Sequence, residues 1–132
     1  EKITKIALKQ LREFVPRLTQ GNCYRIAQDP ARANNWRKRG KVDGRIDWRM
    51  AAISIYNLVR GLARPYVGAH FDYEGKEMKV WRSSVEINTP KNLEPGKVLE
   101  CSDKGILIKT GIDAIWLHEI EPPILIRVGE YL

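Results

Sequence analysis

The sequence predicts an α+β domain that is mostly β: a small barrel or strongly bent sheet preceded by one to two helices. Three observations carry this. Two stretches in the first half, residues 1–15 and 52–62, repeat their apolar residues at helical spacing. From residue 69 onward, short alternating runs are separated by tight-turn signals. The chain has 132 residues, which is room for one domain and a small appendage.

The first helix places Ile3, Ile6, Ala7, Leu11 and Phe14 near one face, with Lys and Arg on the other. Pro16 lacks a backbone N–H, so this helix is expected to end or kink near Val15. A single apolar stripe of this length needs a partner to bury it, and its basic face is the usual solvated kind. Gly21-Asn22 marks a turn. Cys23–Asp29, with Tyr24 and Ile26 separated by polar residues, reads as an edge strand. Ala31–Gly44 has no apolar periodicity and carries Arg32, Arg37, Lys38, Arg39 and Lys41, so it reads as a long basic loop or linker. Trp36 beside those cations suits base stacking. A tryptophan that pins the loop to the next domain is the plainer reading.

A brief extended piece follows, with Ile46 and Trp48 on one side. Asp47 stands where it can cap the next helix or pair with Arg45 or Arg49. Ala52, Ile55, Leu58, Val59 and Leu62 then form a buried helical stripe. Arg60 lies off that stripe, Arg64 follows one turn on, and Gly61 and Pro65 flank a stop. Residues 69–73 and 76–87 form a hairpin around Glu74-Gly75, with Met78, Val80 and then Ser83 or Val85 in register. Residues 96–101 and 105–110 form a second hairpin around Ser102-Asp103-Lys104. Residues 111–120 place Ile115 and Leu117 on one side, with Trp116 and His118 opposite. Pro122-Pro123 stops that strand.

Catalytic chemistry is hard to build from these residues. His70 and His118 stand in no metal-ligand spacing, and no Cys or carboxylate cluster joins them, so no metal site is predicted. No nucleophile elbow, P-loop or dinucleotide fingerprint appears. Turn chemistry accounts for Asp43, Asp72 and Asp113. Cys23 and Cys101 fit free thiols in a reducing cytoplasm better than a disulfide. No apolar run is long enough to cross a bilayer. The chain opens on Glu1 with a charged amphipathic pattern and no cleavage-type run, as an internal piece of a longer protein would.

Twenty-three Lys and Arg against 16 Asp and Glu leave a net charge of +7. That excess favours an anionic partner. Arg37-Lys38-Arg39 and the Arg60/Arg64 pair are the candidate anion-binding groups, arginine being suited to planar phosphate contacts. A solvated basic face accounts for them equally well.

Across "DGRIDW", "IYNLVRGLARPYVGA", "GKEMKVWRSSV" and "PGKVLE", the chain resembles the C-terminal domain of the formyltransferase family. Asp43, Gly44, Ile46, Asp47 and Trp48 match its entry motif. Asn57, Arg60, Pro65, Gly68 and Ala69 match the helix-to-strand motif, Lys79, Val80 and Trp81 the next strand, and Pro95-Gly96 the following turn. The resemblance implies an open barrel of the oligonucleotide-binding (OB-like) type over residues 46–132. Residues 29–45 would be a basic linker, and residues 1–28 the last helix and edge strand of a catalytic domain.

It also implies that the family's catalytic Asn, His and Asp and its folate pocket lie upstream, so that this segment is not catalytic alone and binds no cofactor itself. The implied parent reaction moves a formyl group from 10-formyltetrahydrofolate to a primary amine. This part would orient the acceptor through Arg37, Lys38, Arg39, Arg60, Arg64 and Tyr66, with Trp36 as a stacking group, or pack against the catalytic domain of the same chain. Arg64-Pro65-Tyr66-Val67 stands where the tRNA enzymes of the family carry Trp-Pro, and the tail after Gly129 is short. Both features favour a nucleotide-linked amino sugar as acceptor. Methionyl-tRNA is the alternative acceptor. A free-standing nucleic-acid-binding barrel, with Trp81 and Trp116 as its exposed aromatics, or a pure scaffold module, are the remaining alternatives.

Overall fold

The structure is a computed structural model that describes residues 2–132. The chain divides into two compact units, Glu1–Arg37 and Lys38–Leu132.

In the first unit, α1 spans Lys2–Thr19 and buries none of its residues. The helix does not end at Val15. Pro16 sits inside it, and because the helix is exposed there, water can take the carbonyl that the proline ring leaves without a donor. The last turn is held by the Thr19 hydroxyl and the Gln20 N–H, both donating to the Pro16 carbonyl at 2.9 and 3.2 Å. Gly21, at φ 71°, then closes the helix, with Asn22 N–H on Arg17 O and Gly21 N–H on Leu18 O. That pairing is a Schellman stop, and it needs the left-handed conformation glycine adopts freely. Residues 23–29 are not a strand. Tyr24 and Ile26 are exposed, and none of the described strands pairs with them; an isolated strand has nothing to take its backbone bonds. The basic stretch contains two short 3₁₀ turns, Pro30–Arg32 and Lys41–Gly44. The first is capped by Asp29 Oδ1, which accepts from Ala31 N–H at 2.9 Å.

The second unit holds α2 (Ala52–Gly61), β1 (Ala69–Tyr73), β2 (Lys76–Glu86), β3 (Val98–Ser102), β4 (Gly105–Lys109) and β5 (Ala114–Glu121). The strands make one antiparallel sheet in the order β1-β2-β5-β4-β3. It is open: β1 and β3 are its two edges and do not pair. α2 lies against β2 and β5 and buries Ala52, Ile55 and Val59 on the sheet. From the sheet, Phe71, Met78, Val80, Ile108, Ile115 and Leu117 meet them. Trp116 faces the other way, into a small second cluster with Leu107 and Ala114. β2 buries Met78 and Val80, then Ser83, an odd step that breaks strict alternation. Register shifts on either side of Arg82 against β5 supply the extra residue.

Irregular backbone bonds to part of each edge. Ile46 N–H donates to His70 O at 2.7 Å along β1. Along β3, Val98 N–H donates to Glu130 O, Gly129 N–H to Val98 O and Leu132 N–H to Gly96 O, all within 3.0 Å. Those bonds leave fewer free backbone groups for pairing with another chain.

The start of α2 is tied to the turn between β4 and β5. Gly111 N–H points at Trp48 O and Met50 O, both at 2.9 Å, and Ala52 N–H donates to Ile112 O at 3.0 Å. Asp47 does not cap α2, whose N-cap is Ala51 without a side-chain bond. It binds Arg49 through both carboxylate oxygens instead. The same turn wraps Lys109. This lysine is 2% exposed, and its ammonium donates to Thr110 O and Asp113 O at 2.6 and 3.1 Å. Among the described residues no helix is long and apolar enough to cross a membrane.

A Cβ on Gly111 would stand 2.0 Å from Arg49 O, against backbone that cannot swing aside. Gly111→Ala is therefore expected to destabilise the second unit by roughly 1–3 kcal/mol, read as a lower urea midpoint with unchanged slope.

Candidate functional site

The segment after α2 is where the sequence places its arginines, and the structure gives the two of them different surroundings. α2 ends at Gly61, with Leu62 as its C-cap, so Arg60 is helical and Arg64 is not. The Arg60 side chain donates from Nε to Asn57 Oδ1 at 2.8 Å and lies 6.0 Å from the Tyr56 ring centroid. Arg64 turns to the sheet. Its guanidinium stacks over Trp81 at 4.5 Å, binds Glu121 at 2.8 Å and reaches Glu119 at 3.5 Å. Trp81 Nε1 donates to the same Glu121 carboxylate at 2.7 Å. Gly68 also lies against the indole, and a Cβ there would come within 2.9 Å of Trp81. Arg64, Trp81 and Glu121 thus form a clasp from the loop after α2 to β2 and β5. Hydrogen bonds from Trp81 and then Arg64 hold the Glu121 carboxyl below its ordinary value of 4.5.

The other predicted residues lie elsewhere. Tyr66 is exposed, with its backbone N–H on Ala63 O. Arg37 closes the first unit, and Lys38 and Arg39 open the second. Trp36 is 80% exposed, and its Nε1 donates to Asn34 Oδ1 at 3.1 Å. The two tryptophans that a nucleic-acid-binding sheet would expose are engaged. Trp81 is in the clasp, and Trp116 is 6% exposed with Nε1 on Glu86 at 3.0 Å.

Sequence reading missed two polar arrangements. One is the buried Lys109 described above. The other is a cross-strand tie at His118: Nδ1 lies 2.7 Å from Lys104 O, which makes it the protonated nitrogen. Nε2 hydrogen-bonds with the Ser84 hydroxyl at 2.8 Å. His70 is buried on β1 beside the Arg45 bridge. Cys23 and Cys101 are free thiols.

An open cleft of about 370 Å³ lies between Ile46–Arg49 and Phe71–Asp72. Its floor is Trp48 against Phe71, rings edge to face at 5.4 Å. Its rim is two ion pairs, Arg45–Asp72 at 3.0 Å and Arg49–Asp47 at 2.6 Å. The hydrogen bonds from Arg49 hold the Asp47 carboxyl at about 2, below its ordinary 3.8.

The charge is divided unevenly. Residues 1–37 carry 8 Lys and Arg against 3 Asp and Glu, a net +5; residues 38–132 carry 15 against 13, a net +2. In the second unit Lys41, Arg45, Arg49 and Arg64 are also paired with carboxylates.

Residues 39–124 match the family described as formyl transferase, C-terminal domain. The chain belongs to that family. The matched span lies within the second unit, and α1 lies outside it. A methionyl-tRNA formyltransferase from Geobacillus sp. (strain WCH70) is 32% identical over 123 residues, which cover 92% of this chain and 38% of that protein. The chain therefore spans less than two fifths of that relative's length. Among solved structures, a HypX variant from Aquifex aeolicus superposes with a TM-score of 0.68 at 21% identity, over 91% of this chain and 21% of the other. HypX from the same organism in complex with tetrahydrofolic acid gives 0.65 at 21% identity, over 86% and 20%. These two structures share the fold. Within it, the family-matching residues have structural work: Trp48 in the core, Gly68 at φ 80° beneath Trp81, and Gly96 at φ 92° in the turn before β3.

The clasp yields a pH test. The Glu121 pKa is lowered by folding, so its contribution is complete above about 4.5 and is lost as pH falls through the lowered value. Arg64→Ala is expected to move the Glu121 titration, followed by carboxyl NMR, back toward 4.5. It should also flatten the acid limb of the stability profile.

Proposed function

We propose that this chain is the C-terminal part of a 10-formyltetrahydrofolate-dependent formyltransferase whose acceptor amine is carried on a tRNA. The observation that carries this reading is the extent of the likeness to a methionyl-tRNA formyltransferase. It runs over 123 residues and so takes in both units, not the β domain alone. A net charge of +7 supports a polyanionic acceptor. A nucleotide-sugar acceptor rests on Arg64-Pro65 and on the tail. Arg64 directs its charge to Glu119 and Glu121, and Glu130 and Tyr131 cover the β3 edge, so neither feature speaks for a sugar.

In this reading residues 1–28 are the tail of the catalytic domain, residues 29–45 the linker and residues 46–132 the C-terminal domain. The division of the chain into compact units at residues 37 and 38 suits a linker there. α1 exposes Ile3, Leu11, Phe14 and Leu18. Covering what remains exposed of each is worth on the order of 1 kcal/mol, and the upstream part of the enzyme is the surface that would cover them. Free, exposed thiols suit a cytoplasmic enzyme.

The cleft beside Trp48 offers the folate no free charged partner. That cleft is open, and its four charged groups are paired with one another. In this reading the cosubstrate and the groups that act on its formyl carbon lie upstream. The residues of this chain contribute by holding the acceptor in place.

The full-length enzyme is expected to formylate methionyl-tRNA, with a KM that rises at least about tenfold between 50 and 200 mM salt. Transfer to a nucleotide-linked amino sugar with none to tRNA would overturn this reading.

A further inference from the structure

We propose that the polar face of α1 is the surface that meets the phosphate backbone of the RNA acceptor. The inference rests on the tRNA reading above and goes beyond it in naming the contact surface. It moves that surface away from the sheet and from the arginines after α2.

Three observations support it. The first is the division of charge, +5 in residues 1–37 against +2 in the remaining 95. A polyanion is drawn to local excess, and the sheet-bearing unit has little to offer. The second is spacing. Lys2, Lys5, Lys9 and Arg12 follow one another at intervals of three, four and three residues, which sets them on one side of a helix. At 1.5 Å per residue the row is about 15 Å long, long enough to follow several phosphates of a strand. The third is shape. Lys5, Lys9 and Arg12 border one shallow depression of about 310 Å³ together with Leu8 and Glu13. Glu13 is the one carboxylate described in α1, so the row keeps a cationic sign.

The opposite side of the helix sets the orientation. Leu11, Phe14 and Leu18 are apolar and exposed. If they dock on the rest of the enzyme, the cationic row faces solvent. The same amphipathic pattern occurs in helices that lie on anionic membranes, but there the apolar side must enter lipid. The two occupants therefore make opposite demands on Leu11 and Phe14.

The test uses the full-length enzyme. Lys2, Lys5, Lys9 and Arg12 are changed together to Gln, and a second variant keeps the charge with Lys2→Arg, Lys5→Arg and Lys9→Arg. Affinity for methionyl-tRNA is measured across a salt series, with folate binding as the check on integrity. The Gln set is expected to lower the slope of log affinity against log salt by about 3, at roughly 0.7–0.9 for each phosphate no longer neutralised. The Arg set should keep the wild-type slope. Lys9→Gln alone, which leaves most of the helix untouched, should lower it by just under about 1. A steep wild-type slope that the Gln set and Lys9→Gln leave unchanged overturns the α1 assignment while the tRNA reading stands. No tRNA binding by the wild-type enzyme overturns both. Capture of the wild-type enzyme by phosphatidylserine vesicles, abolished by Leu11→Gln with Phe14→Gln, overturns the assignment in favour of a membrane.

Discussion

α2 is ten residues long, too short to persist on its own in water, and the second unit depends on how that helix is held. Three buried side chains press it onto the sheet. Each end is then fastened by a different device. At the start, the Gly111 and Ile112 backbone is bonded to Trp48, Met50 and Ala52. After the end, Arg64 and Gly68 close on Trp81 and Glu121. The strands that supply the second fastening, β2 and β5, are neighbours near the centre of the sheet. Helix and sheet therefore fix each other, and the apolar stripe from Ala52 to Val59 has a single place to go.

This arrangement decides how the arginines can be used. The Arg64 guanidinium stacks on an indole and binds two carboxylates, so part of its donor set is committed to the frame. Arg60, on the last turn of α2, has an amide and an aromatic ring for neighbours. The basic excess of the chain lies ahead of the sheet, in residues 1–37. Membership of the formyl transferase C-terminal domain family accounts for the sheet-bearing unit, and the charge concentrates outside the matched residues.

Much of the second unit was legible because its signals are local. Alternation located all five strands, helical spacing located α2, and even the bulge left a trace in the step from Val80 to Ser83. The motifs around Asp47, Gly68 and Trp81 pointed to the right family. What failed depended on neighbours. Tyr24 and Ile26 alternate as a strand would, yet alternation does not reveal whether a partner strand exists. Pro16 forbids a donor, not a helix whose orphan carbonyl faces water. Arg60 and Arg64 share a spacing of four, but the helix stops between them. The carboxylate that claims Arg64 stands 57 residues further on, beyond any local pattern. Lys109 and the Ser84–His118 tie became visible only when the turns folded around them.

The bonding along β3 has a bearing on what the end of the chain protects. One border of the sheet is bonded at His70 by a residue that precedes β1, the other at Gly96 and Val98 by residues 129–132, which follow every strand. Removing residues 129–132 would leave all five strands in place and free the backbone groups of Gly96 and Val98 that they bond. The bared end of β3 is then where a stray strand would attach.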